Sequence, residues 1–165
     1  MPRVVANGIS FHYLDQGAGP PLLLLGGTLG CAREDFTAQF ATFAPRMRVL
    51  APDRRGYGET RPPARDFPDD FYAREAHDMV AWCAALDLPP AVVCGWSEGA
   101  AVACWLAALA PERVSALALW GGIERLTAAD VESFEARRDT GAWSPRARES
   151  MDRVYGTDGY WDATW

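Results

Sequence analysis

The sequence predicts an α/β fold, in which a mostly parallel β-sheet is flanked by helices. Short apolar segments alternate along the chain with helical patterns, and this order is typical of parallel strands joined by helices. Residues 22–25 are four consecutive leucines closed by Gly26-Gly27, as expected of a strand that is buried on both faces. The length of 165 residues suits one such domain.

Five segments predict strands. Near the N-terminus, Ile9, Phe11 and Tyr13 alternate with other residues after Asn7-Gly8, a dipeptide that is typical of tight hairpin turns. The other predicted strands are the leucine segment and residues 48–51, 91–94 and 114–120. Each of these four ends at a glycine or a proline, which interrupts a strand.

Two segments between the predicted strands have helical patterns. Within residues 69–86, apolar side chains recur at spacings of four and three and form one stripe. Residues 100–110 are apolar on all sides, which predicts a helix in the protein interior.

The sequence changes character after Gly122. Residues 123–165 carry more charge and contain no β-branched run, and helix starts are indicated at Thr127 and at Ser144-Pro145. We therefore expect residues 1–122 to form the N-terminal part of an α/β core and residues 123–165 to form a helical insertion that lies over the sheet.

Composition excludes several classes of function. The net charge is −6, which disfavours a nucleic-acid partner, and all 16 basic residues are arginine, so no lysine can form a Schiff base or a phosphate-binding loop. No apolar run approaches the ~20 residues that a membrane-spanning helix needs. The four cysteines lack metal-ligand spacing, and we expect Cys83, Cys94 and Cys104 to be buried and reduced in a cytoplasmic protein without metal or cofactor.

The segment that carries chemistry is Gly-Trp-Ser-Glu-Gly at residues 95–99, between a predicted strand and an alanine-rich predicted helix. A nucleophile at a sharp strand-to-helix turn needs small residues two positions away on each side, and Gly95 and Gly99 meet that need. Such a turn exposes the Ser97 hydroxyl and directs the first N–H groups of the helix toward developing negative charge. We interpret the segment as a nucleophile elbow. The alternative is an ordinary glycine-rich turn that contains a serine.

A second glycine-rich segment follows the leucine strand at residues 26–30. We interpret it as the other half of an oxyanion hole, in which the backbone N–H of Thr28, or secondarily of Leu29, acts together with that of Glu98. A phosphate loop is excluded by the lack of lysine, whereas a simple turn stays open as an alternative. Residues 53–60 are interpreted as mainly structural, with charges that pair locally.

Several of these segments resemble the biphenyl-hydrolase-like, or valacyclovir hydrolase, group of the α/β-hydrolase family. The similar segments are residues 55–68, 95–99, 138–144 and 154–156, so the resemblance runs over nearly the whole chain. It implies the α/β-hydrolase fold, with residues 123–165 as the start of a helical lid. It also implies cofactor-free hydrolysis of a small-molecule ester, of the α-amino-acid class, by a Ser-His-Asp triad.

The same resemblance assigns a second role to the residue after the nucleophile. In the related group this residue is an aspartate that binds the substrate ammonium, and here it is Glu98, one methylene longer. A carboxylate there can pair with an ammonium. The alternative is that Glu98 forms a salt bridge within the protein or is solvated.

The triad base and acid are not evident in the sequence. A serine nucleophile needs a general base, yet neither histidine, His12 or His77, follows Ser97. We expect His12 at a surface or sheet edge and His77 on a solvated helix face, and neither is a credible base. Relatives continue beyond the lid with strands that carry the acid and the histidine, so we expect this chain to lack those C-terminal strands.

Two sets of alternatives and one structural consequence follow. The chain could be a fragment or a binding module without a base, rather than an active serine esterase. Within the fold, hydrolysis of carbon–carbon bonds or aminopeptidase activity also stays open. Finally, the strand at residues 114–120 would lose its neighbour, which predicts an apolar edge and self-association through it.

Overall fold

The computed structural model describes residues 2–122, 127–136 and 143–155 of the chain. Its contacts divide the chain into two compact units, residues 1–122 and residues 123–165. The first unit holds a six-stranded sheet with helices. In the described part of the second unit are two helices, α5 (Ala128–Ala136) and α6 (Pro145–Tyr155). The assignment of this second unit as a lid stays a prediction.

The sheet of the first unit is mixed but mostly parallel at its centre. Its strands are β1 (Arg3–Ala6), β2 (Ile9–Gln16), β3 (Pro21–Leu25), β4 (Arg48–Pro52), β5 (Ala91–Trp96) and β6 (Val114–Trp120). They are arranged in the order β1-β2-β4-β3-β5-β6. The pairs β1–β2 and β2–β4 are antiparallel, whereas β4–β3, β3–β5 and β5–β6 are parallel. This topology confirms the predicted fold class.

The N-terminal hairpin forms as its sequence predicts. Asn7 and Gly8 both have positive φ, at 47° and 75°, and the turn brings Ala6 opposite Ile9. Asparagine and glycine tolerate this backbone conformation better than other residues, so the dipeptide fixes the register of β1 on β2.

Helices cover both faces of the sheet. The elements α1 (Ala32–Asp35), α2 (Thr37–Phe43), α3 (Phe71–Ala85) and α4 (Glu98–Leu109) are followed by a short 3-10 helix at Pro111–Arg113. One apolar cluster joins α3 and α4 to the sheet, and Trp82 of α3 makes an edge contact with Tyr13 of β2. A second cluster joins α1 and α2 to the other face, around Phe36 and Phe40.

The prediction of a fully interior helix at residues 100–110 is wrong for one side of α4. Val102, Ala103 and Leu106 are buried, but Trp105 is 46% exposed. Cys104 is also exposed and Cys94 is half-buried, so only Cys83 of the three cysteines expected to be buried is buried. A segment that is apolar on all sides carries no periodicity, and its sequence therefore cannot indicate which side packs on the sheet.

Strand β6 lies at the end of the strand order and pairs with β5. Its large side chains Leu117, Leu119 and Trp120 are between 41% and 44% exposed. The expected apolar edge is therefore present in the part of the chain that the structure describes. Among those residues, no helix is long and apolar enough to cross a membrane.

Candidate active site

The candidate site lies where the carboxyl ends of three parallel strands meet. Strand β3 is placed between β4 and β5, so the segments that follow Leu25, Pro52 and Trp96 emerge side by side at one edge of the sheet. A Cβ atom on Gly27 would lie 3.2 Å from the Ser97 Cβ, so the glycine-rich segment after β3 directly adjoins Ser97. Open α/β sheets bind ligands at such edges.

Ser97 occupies a strained turn between β5 and α4. Its backbone φ is 55° and its ψ is −123°, a combination that residues with a side chain rarely adopt. The turn is held by hydrogen bonds: the Ser97 N–H donates to the Trp120 carbonyl at 3.1 Å, and the Ser97 carbonyl accepts from the Ala100 N–H at 2.9 Å. Strain retained at one serine by its surroundings is typical of a nucleophile elbow.

The two glycines around Ser97 are required by close backbone contacts. A Cβ on Gly95 would lie 2.5 Å from the Gly99 carbonyl oxygen, and one on Gly99 would lie 2.1 Å from the Leu25 carbonyl oxygen. Neither neighbour is a flexible side chain that could move aside. The spacing of the motif thus reflects the tight packing of the turn against β3.

The backbone N–H groups of Thr28 and Glu98 are the candidate oxyanion donors. Glu98 is the first residue of α4, where an N–H has no partner within the helix and lies at the positive end of its dipole. Thr28 lies in the turn closed by the Gly30 N–H and the Gly27 carbonyl at 3.3 Å. In the described parts of the chain, neither of these two N–H groups donates a hydrogen bond. Leu29, the secondary candidate, is buried and has a φ of 57°.

The Glu98 side chain forms ion pairs within the protein. Its Oε2 atom accepts hydrogen bonds from Arg54 Nη2 at 2.8 Å, from the Tyr57 hydroxyl at 3.1 Å and from Arg65 Nη2 at 3.5 Å. Burial alone would raise the pKa of Glu98, but Arg54 and Arg65 hold that pKa below its ordinary value. Among the described residues, Oε1 accepts no hydrogen bond.

These contacts belong to a buried group of four charges, the arginine–glutamate cluster, formed by Arg54, Arg65, Glu75 and Glu98. Glu75 lies on α3 and pairs with Arg54 through Oε2 and with Arg65 through Oε1. The side chains of Arg54, Arg65 and Glu75 are at most 2% exposed. Two cations balance two anions, which is the condition for keeping charges buried.

The cluster corrects the expectation that the charges in residues 53–60 pair locally. The partners of Arg54 lie 21 and 44 residues away in sequence, because the parallel sheet places the end of β4 near α3 and near the start of α4. Arg65 lies between aromatic rings as well, with its guanidinium carbon 4.5 Å from the Tyr57 ring centre and 4.7 Å from that of Phe67. No spacing in the sequence indicates these long-range pairs.

The two histidines lie on elements other than the Ser97 turn, His12 on β2 and His77 on α3. His12 is 2% exposed, and its Nδ1 lies 2.7 Å from Asp53 Oδ2, so the expected surface position is wrong. Its strand, β2, is separated from β5 by β4 and β3, a distance of about three strand spacings or ~14 Å. His77 is exposed on α3, as expected.

The reason for burying His12 lies in the segment after β4. Asp53 also accepts the Ala32 N–H through Oδ1 at 2.8 Å and the Glu59 N–H through Oδ2 at 2.9 Å. Asp53 thus ties β2, α1 and residues 53–60 together, and His12 supplies one of its partners. The buried His12–Asp53 pair therefore has a structural role, which is to hold these segments together.

A buried carboxyl group lies beneath the glycine-rich segment. Among the residues that the structure describes, the buried Asp35 Oδ2 has no hydrogen-bond partner, and a Cβ on Gly30 would lie 1.9 Å from it. Burial raises the pKa of Asp35 to about 7, against the opposing charge of Arg54. Across the described residues, no group of three His, Cys, Asp or Glu side chains is placed to hold a metal ion.

A parallel α/β sheet with a strained serine between a strand and a helix, next to a glycine-rich segment from the neighbouring strand, is the architecture of α/β hydrolases. The chain matches the family model described as the alpha/beta hydrolase fold over residues 20–158. It therefore belongs to the α/β-hydrolase family.

Two mammalian relatives agree with the more specific resemblance. The chain is 37% identical to the mouse serine hydrolase BPHL and 38% identical to the human one, in both cases over 158 residues. These alignments cover 94% of this chain and 54% of each relative. The chain thus spans about half the length of the curated relatives it matches.

Solved structures agree on the fold. The haloalkane dehalogenase DatA from Agrobacterium tumefaciens superposes with a TM-score of 0.78 at 21% identity, covering 99% of this chain and 65% of that one. The meta-cleavage product hydrolase CumD from Pseudomonas fluorescens superposes with a TM-score of 0.76 at 19% identity, covering 99% and 66%. At these identities the likeness is one of fold.

Proposed function

We propose that the chain supplies the nucleophile and the oxyanion hole of a serine hydrolase that acts on carboxylic esters, in particular esters of α-amino acids. The observation that carries the proposal is the strained backbone of Ser97 beside Gly27. Acyl transfer needs a nucleophile with backbone donors close to it, and this half-buried serine lies between the glycine-rich segment and the start of α4.

The reaction that we propose begins with attack of Ser97 Oγ on the ester carbonyl carbon. The Oγ proton passes to a general base, and the carbonyl oxygen takes the negative charge as the carbon becomes tetrahedral. The N–H groups of Thr28 and Glu98 stabilise that oxygen. The alcohol then leaves with the proton from the base, and water hydrolyses the acyl-serine in the same manner.

The base and the acid are not supplied by His12 or His77 in this proposal. They come from the part of the relatives' length that this chain does not span. Without a base, residual catalysis over water of roughly 10³–10⁴-fold is expected from the oxyanion hole and binding alone. The proposed esterase activity is therefore that of a protein in which Ser97 has both its general base and its acid.

Substrate choice depends on Glu98 in this proposal. The low pKa of Glu98 keeps the carboxylate charged, and Oε1 remains available to a substrate ammonium, whereas Oε2 is held by Arg54, Arg65 and Tyr57. Two arginines on Oε2 also reduce the negative potential at Oε1. We therefore expect a measurable but moderate preference for substrates with a free amino group.

The nucleophile is tested with a fluorophosphonate probe. The probe is applied to the 165-residue chain and to the gene product read through the codons that follow Trp165, each with its Ser97→Ala variant. We expect strong labelling of the longer protein that disappears in Ser97→Ala, and weak labelling of the 165-residue chain. Strong labelling that persists in Ser97→Ala would disprove the nucleophile.

The anchoring role of Glu98 is tested with amino-acid esters and their N-acetylated forms. We expect Glu98→Gln to lose the preference for the free amine, and Glu98→Asp to retain it, because aspartate keeps the charge. Equal rates on both esters in the unmodified protein would remove the anchoring role while leaving the esterase itself intact.

A second candidate is a binding protein without a base. It is favoured by the two strands that lie between the strand of His12 and that of Ser97, and by the exposure of His77 on α3. This candidate predicts that the 165-residue chain is monomeric and cooperatively folded, and that a longer product is labelled no more strongly than this chain. Probe labelling and sedimentation of the same two proteins therefore separate the candidates.

A further inference from the structure

We propose that Arg54 is a positioning residue that orients both donors of the oxyanion hole. The proposal rests on the proposed hydrolase function, since it concerns how the same site is held. Arg54 follows β4 and comes from neither of the two segments that carry the donors. Its side chain is 2% exposed, so it is placed within the protein and not at the ligand surface.

Arg54 contacts the donor segments on both sides through one nitrogen atom. Its Nη2 donates to the Gly27 carbonyl at 3.0 Å and to Glu98 Oε2 at 2.8 Å. Gly27 belongs to the segment after β3, and Glu98 begins the helix after β5. The guanidinium thus joins the two elements whose relative position sets the size of the oxyanion hole.

The contact with Gly27 fixes more than the position of a loop. The Gly27 carbonyl and the Thr28 N–H belong to one planar, trans peptide unit, so they point in opposite directions. When Arg54 holds the carbonyl, the Thr28 N–H is directed away from Arg54 and cannot rotate independently. A cationic donor on the carbonyl also polarises the peptide and strengthens its N–H as a donor.

The contact with Glu98 acts on the second donor. The Glu98 carboxylate is held by Arg54 at Oε2, and the N–H of the same residue is the first of α4. Glu75 holds the other terminal nitrogen of Arg54, so the planar guanidinium is fixed at three points. Burial opposes the charge on Arg54, yet Glu75 and Glu98 keep its pKa above the ordinary value, so the cation persists over the working pH range.

Lysine cannot replace these contacts. Its single ammonium is a point donor on a flexible chain and cannot reproduce the planar fork that reaches Gly27, Glu98 and Glu75 together. Loss of one oxyanion donor lowers kcat by about 10²–10³-fold in well-studied hydrolases. We expect Arg54→Lys, which misorients donors without removing them, to lower kcat by about 10–100-fold on that scale.

The kinetic test uses the longest form of the protein that hydrolyses an amino-acid ester. The variants are Arg54→Lys and, as the matched control, Arg55→Lys, since the Arg55 side chain pairs with Asp78 and contacts neither Gly27 nor Glu98. We expect kcat to fall in Arg54→Lys with KM changed by less than about threefold, and affinity for a boronic acid that forms a tetrahedral serine adduct to fall with it. Arg55→Lys should change neither.

The kinetic test has a different result if Arg54 only stabilises the fold. If Arg54→Lys unfolds cooperatively like the control and keeps kcat and boronate affinity within about twofold of the unmodified protein, the positioning role is wrong. A rise in KM with unchanged kcat would also overturn it. If Arg54→Lys does not fold, Glu75→Gln is judged by the same criteria, because it loosens Arg54 without touching either donor segment.

A second readout separates this proposal from the proposed function. The backbone amide signal of Thr28 is followed by NMR in ¹⁵N-labelled protein, with Ser97→Ala present in every sample so that no chemistry is required. We expect the Thr28 signal to shift in Arg54→Lys and to stay in place in Arg55→Lys. An unchanged Thr28 signal in Arg54→Lys overturns the positioning role, whereas absent esterase activity in the unmodified protein overturns only the function.

Discussion

The buried carboxyl group of Asp35 gives a prediction whose size follows from the structure. Burial raises its pKa from 3.8 to about 7. A group with a raised pKa in the folded state favours folding most when it is protonated. Its contribution to the free energy of unfolding is therefore fully present below pH 4, falls as the pH rises toward 7, and is constant above pH 7.

The magnitude of this effect is a few kcal/mol. A difference of roughly three pKa units corresponds to ~4 kcal/mol. Asp35 is half-buried as a residue, although its Oδ2 atom is fully buried, so part of the charge is reached by solvent. We expect Asp35→Asn, which is neutral at every pH, to be more stable than the unmodified protein at pH 8 by ~2–3 kcal/mol and nearly equal to it at pH 4.

The assay is urea denaturation of both proteins at several pH values between 4 and 8. Comparison at each pH cancels the titration of every other carboxylate. Asp66→Asn serves as the control of opposite sign, because the hydrogen bond from Arg74 lowers the pKa of the exposed Asp66. A stability difference between Asp35→Asn and the unmodified protein that is the same at pH 4 and pH 8 would refute the reasoning.

Two further predictions concern the elbow and the sheet edge. Gly99→Ala should destabilise the protein by several kcal/mol and abolish probe labelling, because the added Cβ would lie 2.1 Å from the Leu25 carbonyl oxygen. Gly8→Ala is the control: Gly8 has a positive φ but nothing within 4 Å of an added Cβ, so this variant should lose only ~1 kcal/mol and keep the labelling. Equal thermal unfolding and equal labelling of the two variants would contradict the prediction. Leu117→Lys on β6 should reduce self-association measured by sedimentation, because a charge on an edge strand blocks pairing. Val5→Lys on β1, at the opposite edge of the sheet, should not reduce it. Equal effects of the two variants would exclude β6 as the specific contact.

Local sequence predicted the central strands and the tight strand-to-helix turn at Ser97 because their causes are local. Four leucines in a row require burial on both faces, and Gly95 and Gly99 are needed within a few residues of Ser97. The hairpin at Asn7-Gly8 is predicted for the same reason, since the backbone of the turn sets the register. Each of these features depends on contacts between near neighbours or on one strong steric requirement.

The parts that sequence did not reveal depend on topology. His12 is buried because β2 lies antiparallel to β4 and brings it to Asp53, 41 residues away. The helices α1 and α2 are only four and seven residues long, too short for a clear periodic pattern. The arginine–glutamate cluster requires the segments after β4 and β5 and the helix α3 to be placed together, and no window of sequence contains that information.

The arginine–glutamate cluster explains how one residue serves two purposes at the candidate site. In the proposed function Glu98 presents a backbone N–H to an oxyanion, and its carboxylate would repel that same negative charge if it were left unpaired. Arg54 and Arg65 offset this repulsion, because both donate to Oε2. In the same proposal, Oε1 is the oxygen left for a substrate ammonium. We infer that the exchange of aspartate for glutamate weakens amine recognition while preserving the electrostatics that acyl transfer needs.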